Sequence, residues 1–334
     1  MRLGLDIGID LGTATVLIYV RGKGIVLSEP SVVAINTRTG KVLAVGQSAA
    51  DMVGRTPGVV EAVRPLRDGV ISDFKVCEIM LRTFINRVDT GFLSSLFKPT
   101  IVVCVPSVIT PVEQKAVEDS CKNAGAKEVY LIREPVAAAI GAGIDITLPV
   151  GSMIIDIGGG TTDIAVISLS EPVVDASLKI AGDRFDECII KHVRRKHNIL
   201  IGEKTAEELK IRIGCAYPRD EELTMEVRGR NLITGLPSSV VVNSTEMLEA
   251  LEEPVSDIFD AVHNVLEKTP PELMADISER GVVLSGGGAK LYGLDRMLAS
   301  KIGVDTIVAD KPEQCVAIGT GRALTMMDKF SGLS

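Results

Sequence analysis

The stretch DIGGGTTDIAV (Asp156 to Val166) sets two aspartates around three glycines and two threonines, straight after the apolar run Met153-Ile154-Ile155. Those residue types suit one kind of chemistry. Glycines let backbone N–H groups come close to a ligand, threonine hydroxyls add donors, and a nest of such donors cradles phosphate oxygens. A carboxylate at the strand end reaches a divalent cation, directly or through its waters. A fainter copy, DIGIDLGTATVLIYV, spans Asp6 to Val20 and places Asp10 before a Gly-Thr turn and a β-branched run. Either copy alone reads as a glycine-rich hairpin. Three consecutive glycines weaken a hairpin, however, unless something must come close, and the pairing of two such units strengthens the phosphate reading. The aspartates stand 156 − 10 = 146 residues apart in a chain of 334. That spacing predicts a duplicated fold with one ligand between its halves.

A third cluster, VVLSGGGAKLYGL (Val282 to Leu294), follows another apolar strand and is expected to open into a helix. Its glycines would let adenine or an α-phosphate lie against the backbone at the helix N-terminus. It lacks the G-x-G-x-x-G spacing, and the chain has no G-x-x-x-x-G-K-[ST] loop.

The elements that must position these groups show in outline. Strands are expected near Leu5–Ile9, Thr15–Val20 and Ser31–Ile35, with NTRTGK as a hairpin turn. The continuous apolar run TIVVCVP (Thr100 to Pro106) suits a strand covered on both faces. A helix should follow it, capped by Thr110, with Pro111 at its first position, Glu113 completing a capping box and Gly125 ending it. A second capping box, Thr205 with Glu208, is expected to open TAEELKIRI. No low-complexity linker separates the halves, which fits a hinged pair.

Composition narrows the class. Hydrophobic residues make up 46% and charged residues 24%, a balance that can bury a large core. A net charge of −8 argues against a nucleic-acid partner, whose phosphates call for a basic surface. Six cysteines (Cys77, Cys104, Cys121, Cys188, Cys215, Cys315) form no C-x-x-C pair and read as reduced, buried thiols in a cytosolic protein. Of three histidines, His192 and His197 lie five apart, off a shared helix face, so a histidine metal site is not expected. The charged start GLDIGID does not suit a secretory signal, and no apolar run approaches the ~18 residues of a spanning helix. A soluble or peripheral protein is expected.

DLGTAT, DIGGGTTD, SGGGA and the connecting REPVAAAIGAG resemble the actin, chaperone and sugar-kinase superfamily. Within it the chain is most similar to the MreB/Mbl family of bacterial actins, on GIDLGTA, GKGIVLSEPSVVA, VGRTPG, RPLRDGVISDF, AGDRFDE, IGEKTAEELK, RGRNLITGLP, TPPELMADI and VAIGTG. The resemblance implies an α/β, actin-like fold: two domains, each with an inserted subdomain, around a nucleotide cleft. Residues 1–31, 78–148 and 312–334 would form subdomain IA and 32–77 subdomain IB. Residues 149–181 and 244–311 would form IIA and 182–243 IIB, with a final helix from about Pro312 to Asp328.

The implied ligands are ATP or ADP with Mg²⁺, and the implied activity is a weak Mg-dependent ATPase. Asp10 and Asp156 would face the metal, mainly through its waters. Gly12, Thr13, Ala14 and Thr15 would line one side of the phosphates, and Gly158, Gly159, Gly160, Thr161 and Thr162 the other. Thr15 stands where the family often has asparagine; its hydroxyl can still donate. Glu134 matches the family's catalytic glutamate and would orient the attacking water, as phosphoryl transfer requires; it also reads as an acid supporting a helix dipole. Asp163 is either a carboxylate beside the site or a strand-end turn residue. Gly182 and Asp183 resemble the loop beside the ribose. Lys204, Thr205, Glu207 and Glu208 form a helix start from which Glu207 or Glu208 would accept from ribose hydroxyls. Gly286, Gly287, Gly288 and Ala289 would pack against adenine and the α-phosphate.

By the same resemblance the protein is cytoplasmic and peripheral at the inner face of the cytoplasmic membrane. It would assemble with itself into head-to-tail, paired filaments and meet membrane-bound wall-elongation proteins that set rod shape. A metabolic kinase of this fold would need an aspartate base beside a sugar pocket, for which no candidate is found. A chaperone ATPase would need a substrate-binding domain, which a chain stopping at Ser334 is not expected to carry. GFLSSLFKP (Gly91 to Pro99) holds Phe92, Leu93, Leu96 and Phe97 between Arg87 and Lys98. It reads as an apolar loop for the membrane or as a cap folded back on the core.

Overall fold

A computed structural model describes residues 5–55, 58–88 and 98–331, with side chains as far as residue 325. The apolar tip at Phe92, Leu93, Leu96 and Phe97 lies outside the described residues.

The first half begins with strands β1 (Asp6–Leu11), β2 (Thr15–Val20), β3 (Gly24–Pro30), β4 (Val33–Asn36) and β5 (Val42–Val45). Helix α1 (Gln47–Ala50), β6 (Val60–Val63), β7 (Leu66–Arg67) and β8 (Val70–Ile71) follow. It continues through α2 (Phe74–Val88), β9 (Thr100–Val105), α3 (Pro111–Asn123), β10 (Glu128–Arg133) and α4 (Glu134–Ala142). The second half opens with β11 (Ser152–Ile157), β12 (Thr162–Ser168), β13 (Glu171–Leu178) and α5 (Gly182–His197). Next come β14 (Ile199–Leu200), α6 (Glu203–Ile213), β15 (Thr224–Asn231), β16 (Pro237–Asn243) and α7 (Ser244–Lys268). α8 (Pro271–Arg280), β17 (Val282–Ser285), α9 (Leu294–Ile302), β18 (Thr306–Val308) and α10 (Cys315–Ser331) complete the chain.

The duplication expected from the repeat is visible in the sheets. One five-stranded sheet has the order β10-β9-β1-β2-β3, and the other, read from its far edge, β18-β17-β11-β12-β13. In each, the central strand pairs antiparallel with the strand after its glycine turn, β1 with β2 and β11 with β12. In each it also pairs parallel on its other side, with β9 or β17. Smaller sheets, β5-β4-β6 and β14-β15-β16, are appended one to each half. Strands buried on both faces explain the unalternating apolar runs: every residue of β9 and of β11 is buried, as central strands between helical layers require. α10 returns to pack on α4 and β1, and Val316 joins Val136, Ile154 and Ala165 in a cluster between the two large sheets.

Helix α3 starts as expected: Thr110 accepts from the Glu113 N–H, the Glu113 carboxylate reaches back to Thr110, and Pro111 leads the helix. The second expected capping box does not form. α6 begins at Glu203 behind Gly202, with no side-chain cap, so Thr205 already lies inside its first turn and Glu208 pairs with Arg212 at 2.8 Å. Two further corrections concern edges and ends. β3 is an edge strand the reading missed, with the expected strand at Ser31–Ile35 starting later, at Val33. The SGGGA cluster winds into a short 3-10 turn (Gly287–Lys290) before α9, and a similar turn, Pro312–Gln314, precedes α10.

Candidate functional site

The two glycine turns face each other. In the first, Ser31 Oγ donates to the Gly12 carbonyl at 2.6 Å and its N–H to the Ala14 carbonyl at 2.9 Å, fixing the loop from outside. In the second, the Gly158 N–H closes the turn on the Thr161 carbonyl at 2.9 Å. A Cβ on Gly159 would sit 2.6 Å from Ala14 Cβ, so the approach of the turns demands a glycine there. Between them opens a cleft of about 460 Å³.

Most of the expected residues meet in this cleft. Asp10, residues 12–15, Glu134, Asp156, residues 158–161, Gly182, Asp183, Glu207 and residues 286–288 line it. Thr162, Lys204, Thr205, Glu208 and Ala289 are not in its wall. Thr162 opens β12, where alternation turns its side chain away; its hydroxyl donates to the Ile180 carbonyl at 2.6 Å. Ala289 is buried behind the 3-10 turn. On α6, Thr205 and Glu208 lie on other faces, and Lys204 lies a turn before Glu207, outside the cleft wall. Glu207, Lys210, Ile211 and Gly214 share the cleft face, at the i, i+3, i+4, i+7 spacing of one helix stripe.

Four carboxylates crowd the end of the cleft beside the glycine turns. Burial pushes Asp10 up to about 7, against a weak S–H donation from Cys104 at 3.5 Å. Burial likewise lifts Asp156 to about 7, although Ser285 Oγ donates to it at 2.6 Å. Glu134, in the first turn of α4, is held well above the usual range by burial and then by the charges of Asp163, Asp156 and Asp10. Asp163 is fully buried and also raised, chiefly by burial. One of its oxygens accepts from the Ser107 N–H at 2.8 Å. The other has no hydrogen-bond partner, although Ser177, Thr161 and Glu134 lie around the carboxyl and hold its rise in check. Among the described residues no cation pairs with any of the four. Nor do three His, Cys, Asp or Glu side chains converge as a metal cage. Two hard carboxylates, one per half, would suit a Mg²⁺ that keeps most of its water.

At the other end Lys210 Nζ donates to the Gly182 carbonyl at 3.1 Å and pairs with Asp186 at 2.8 Å. Arg219 lies 3.9 Å over the Tyr292 ring and donates to the Gly214 carbonyl at 3.0 Å. Lys290 and Glu313 close the rim at 2.7 Å. Sequence reasoning missed this set. The stripe on α6 was findable, had the helix been started at Glu203; the pairings of Arg219 with Tyr292 and Lys290 with Glu313 had no local signal.

Two sheets of one plan, closing on one cleft through paired glycine turns, define the actin-like class. The chain belongs to the MreB/Mbl family, whose model, described as MreB/Mbl protein, matches residues 4–332. It is 54% identical over 325 residues to the cell shape-determining protein Mbl of Bacillus subtilis (strain 168), covering 97% of each chain. It is 54% identical over 333 residues to the cell shape-determining protein MreB of Escherichia coli (strain K12), covering 98% of this chain and 95% of that one. Crystal structures of MreB5 of Spiroplasma citri bound to ADP and to AMPPNP superpose with a TM-score of 0.95 at 39% identity. The ADP form covers 100% of both chains and the AMPPNP form 99%.

Proposed function

We propose that this chain is a Mg-dependent ATPase that binds ATP and ADP in the cleft and builds filaments directing cell-wall elongation and rod shape. One observation carries the reading: two donor-rich turns face each other with a buried aspartate behind each that no described cation neutralises. The ADP and AMPPNP held by the Spiroplasma citri relative support it. Asp10 and Asp156 would hold Mg²⁺, which when bound neutralises phosphate charge. Residues 12–15 and 158–161 bind and orient the phosphates, while Glu207 accepts from the ribose and residues 286–288 flank the base. Glu134 positions the attacking water and accepts its proton; crowding by three other carboxylates makes that proton welcome.

Self-association is head to tail, because a heterologous contact that does not close yields an open filament. The apolar segment with Phe92, Leu93, Leu96 and Phe97 would bring filaments to the inner face of the cytoplasmic membrane, where wall-elongation partners sit. No described helix is long and apolar enough to cross a membrane, and many weak loop contacts add by avidity. The test is phosphate release and pelleting with Mg-ATP at rising protein concentration, with and without anionic vesicles. A critical concentration, ATP turnover and vesicle recruitment lost on changing the four apolar residues to serine are expected. Turnover without any critical concentration would favour a monomeric enzyme of the same fold.

A further inference from the structure

Helix α4 carries Glu134 at its first residue, and its far end is finished by another element. An α-helix leaves its last carbonyls without intrahelical partners. In α4 the Ala139 carbonyl accepts from the Ile144 N–H at 3.0 Å and the Ile140 carbonyl from the Gly143 N–H at 3.2 Å, with Gly143 left-handed at φ 87°. Arg322 of α10 adds two more bonds. Its Nη1 donates to the Ile140 carbonyl at 2.7 Å and to the Gly141 carbonyl at 3.3 Å. α4 has no basic residue in its own last turn. This guanidinium, 181 residues beyond Gly141, is therefore also the cation that the negative end of the helix favours.

Beside that grip the helix contact is smooth. α4 and α10 meet backbone to backbone: a Cβ on Gly141 would run into the Cys315 carbonyl, and one on Gly319 into the Ala137 carbonyl. Helices register on one another when side-chain ridges enter grooves. Glycine surfaces come close but have no ridge, so closeness alone does not fix where α4 stands along α10. The Arg322 bonds do. α4 packs against β9 and β10 of the first half and against β11, β12 and β17 of the second, with Glu134 buried. Its nine residues form a rod of about 14 Å. A slide at the Gly141 end therefore arrives at Glu134.

We propose that Arg322 is a positioning residue for the reaction: by holding the C-terminal carbonyls of α4 it sets where Glu134, at the opposite end, meets the attacking water. The inference rests on the ATPase reading above. Its test is steady-state phosphate release with Mg-ATP, at protein concentrations that give equal pelleted fractions, for wild type, Arg322→Gln and Arg322→Lys. The Arg322 side chain is exposed, so neither change opens the core. Arg322→Gln should lower kcat about five- to tenfold, part of the ~100-fold that a full 1 Å misplacement can cost. KM, ADP affinity by calorimetry and melting temperature should stay as in wild type. Arg322→Lys should recover most of the rate, because an ammonium can still donate to both carbonyls. In a Glu134→Gln background, Arg322→Gln should add no further loss, since both changes act on one group. Multiplying losses, an unchanged kcat, or a kcat that falls only together with affinity and melting temperature would each overturn the proposal. A wild type that releases no phosphate would overturn the ATPase reading itself, whereas an active wild type unmoved by Arg322→Gln would sink this inference alone.

Discussion

The two halves share one strand plan but not one chemistry. Across the first turn Asp10 faces Leu17 on the neighbouring strand; across the second, Asp156 faces Asp163. Asp10 receives only a thiol donation from Cys104 at 3.5 Å, whereas Asp156 receives a hydroxyl from Ser285 at 2.6 Å. Both nonetheless rise to about 7, because burial dominates in each. The duplicated frame thus supplies a matched pair of buried carboxylates, and a single differing cross-strand position adds a further acid in the second half. That acid stands beside Glu134, which the first half contributes from the start of α4. Under the proposed function, the symmetric pair would hold the ligand and the asymmetric acids would serve the reaction.

The largest effect should come from breaking the matched pair. Asp156→Ala removes one of the two aspartates proposed to face the metal and should lower Mg-ATP turnover by about a thousandfold or more. Asp10→Ala should do comparable damage if the halves share the cation. Phosphate release measured against Mg²⁺ concentration checks both, and wild-type turnover in either variant would remove that aspartate from the site. Glu134→Gln probes the asymmetric part. It should cut turnover by about a hundredfold while ADP and ATP affinities, read by calorimetry, stay as they are. A parallel loss of affinity would assign Glu134 to the structure of α4 instead.

Legibility in the sequence followed the same division. The glycine turns announced themselves because their geometry is written locally, in consecutive residues whose backbone must approach a ligand. The Thr110 box was equally local. Thr162 was misplaced because a single step in register turns a strand side chain to the opposite face. The start of α6 was misplaced because Gly202 caps without a side chain, leaving Thr205 and Glu208 as a decoy. Contacts between distant segments left no trace: Arg64 and Asp183 are 119 residues apart, and Ser107 meets Asp163 from the other half.

A subtler change sharpens the asymmetry. Asp163→Asn keeps an oxygen for the Ser107 N–H, so the fold contact survives, but removes the charge beside Glu134. That charge favours the protonated form of Glu134, so without it the glutamate ionises at lower pH. If activity requires ionised Glu134, the acid limb of the turnover profile should move to lower pH in the variant. A limb that stays in place, with turnover merely scaled down, would leave Asp163 as a structural tie.

The smallest effect concerns two helix starts, one in each half, that look alike as T-x-x-E. In α3 the box is real: Glu113 N–H donates to Thr110 Oγ1 at 3.3 Å, and the Glu113 carboxylate accepts from the Thr110 N–H at 2.8 Å and its hydroxyl at 2.7 Å. Those bonds hold the Glu113 carboxyl below its ordinary range. Thr110→Ala therefore removes a working cap and should cost about 1 kcal/mol. In α6, Thr205 donates its N–H to the Gly202 carbonyl at 3.1 Å from within the first turn, and its hydroxyl caps nothing. Alanine there exchanges a β-branched residue for the best helix former and should stabilise by a few tenths of a kcal/mol, roughly. Urea midpoints of the two variants, at equal slope, separate these outcomes. Equal losses from both would mean that α6 begins at Thr205 after all, with Glu208 as its capping partner.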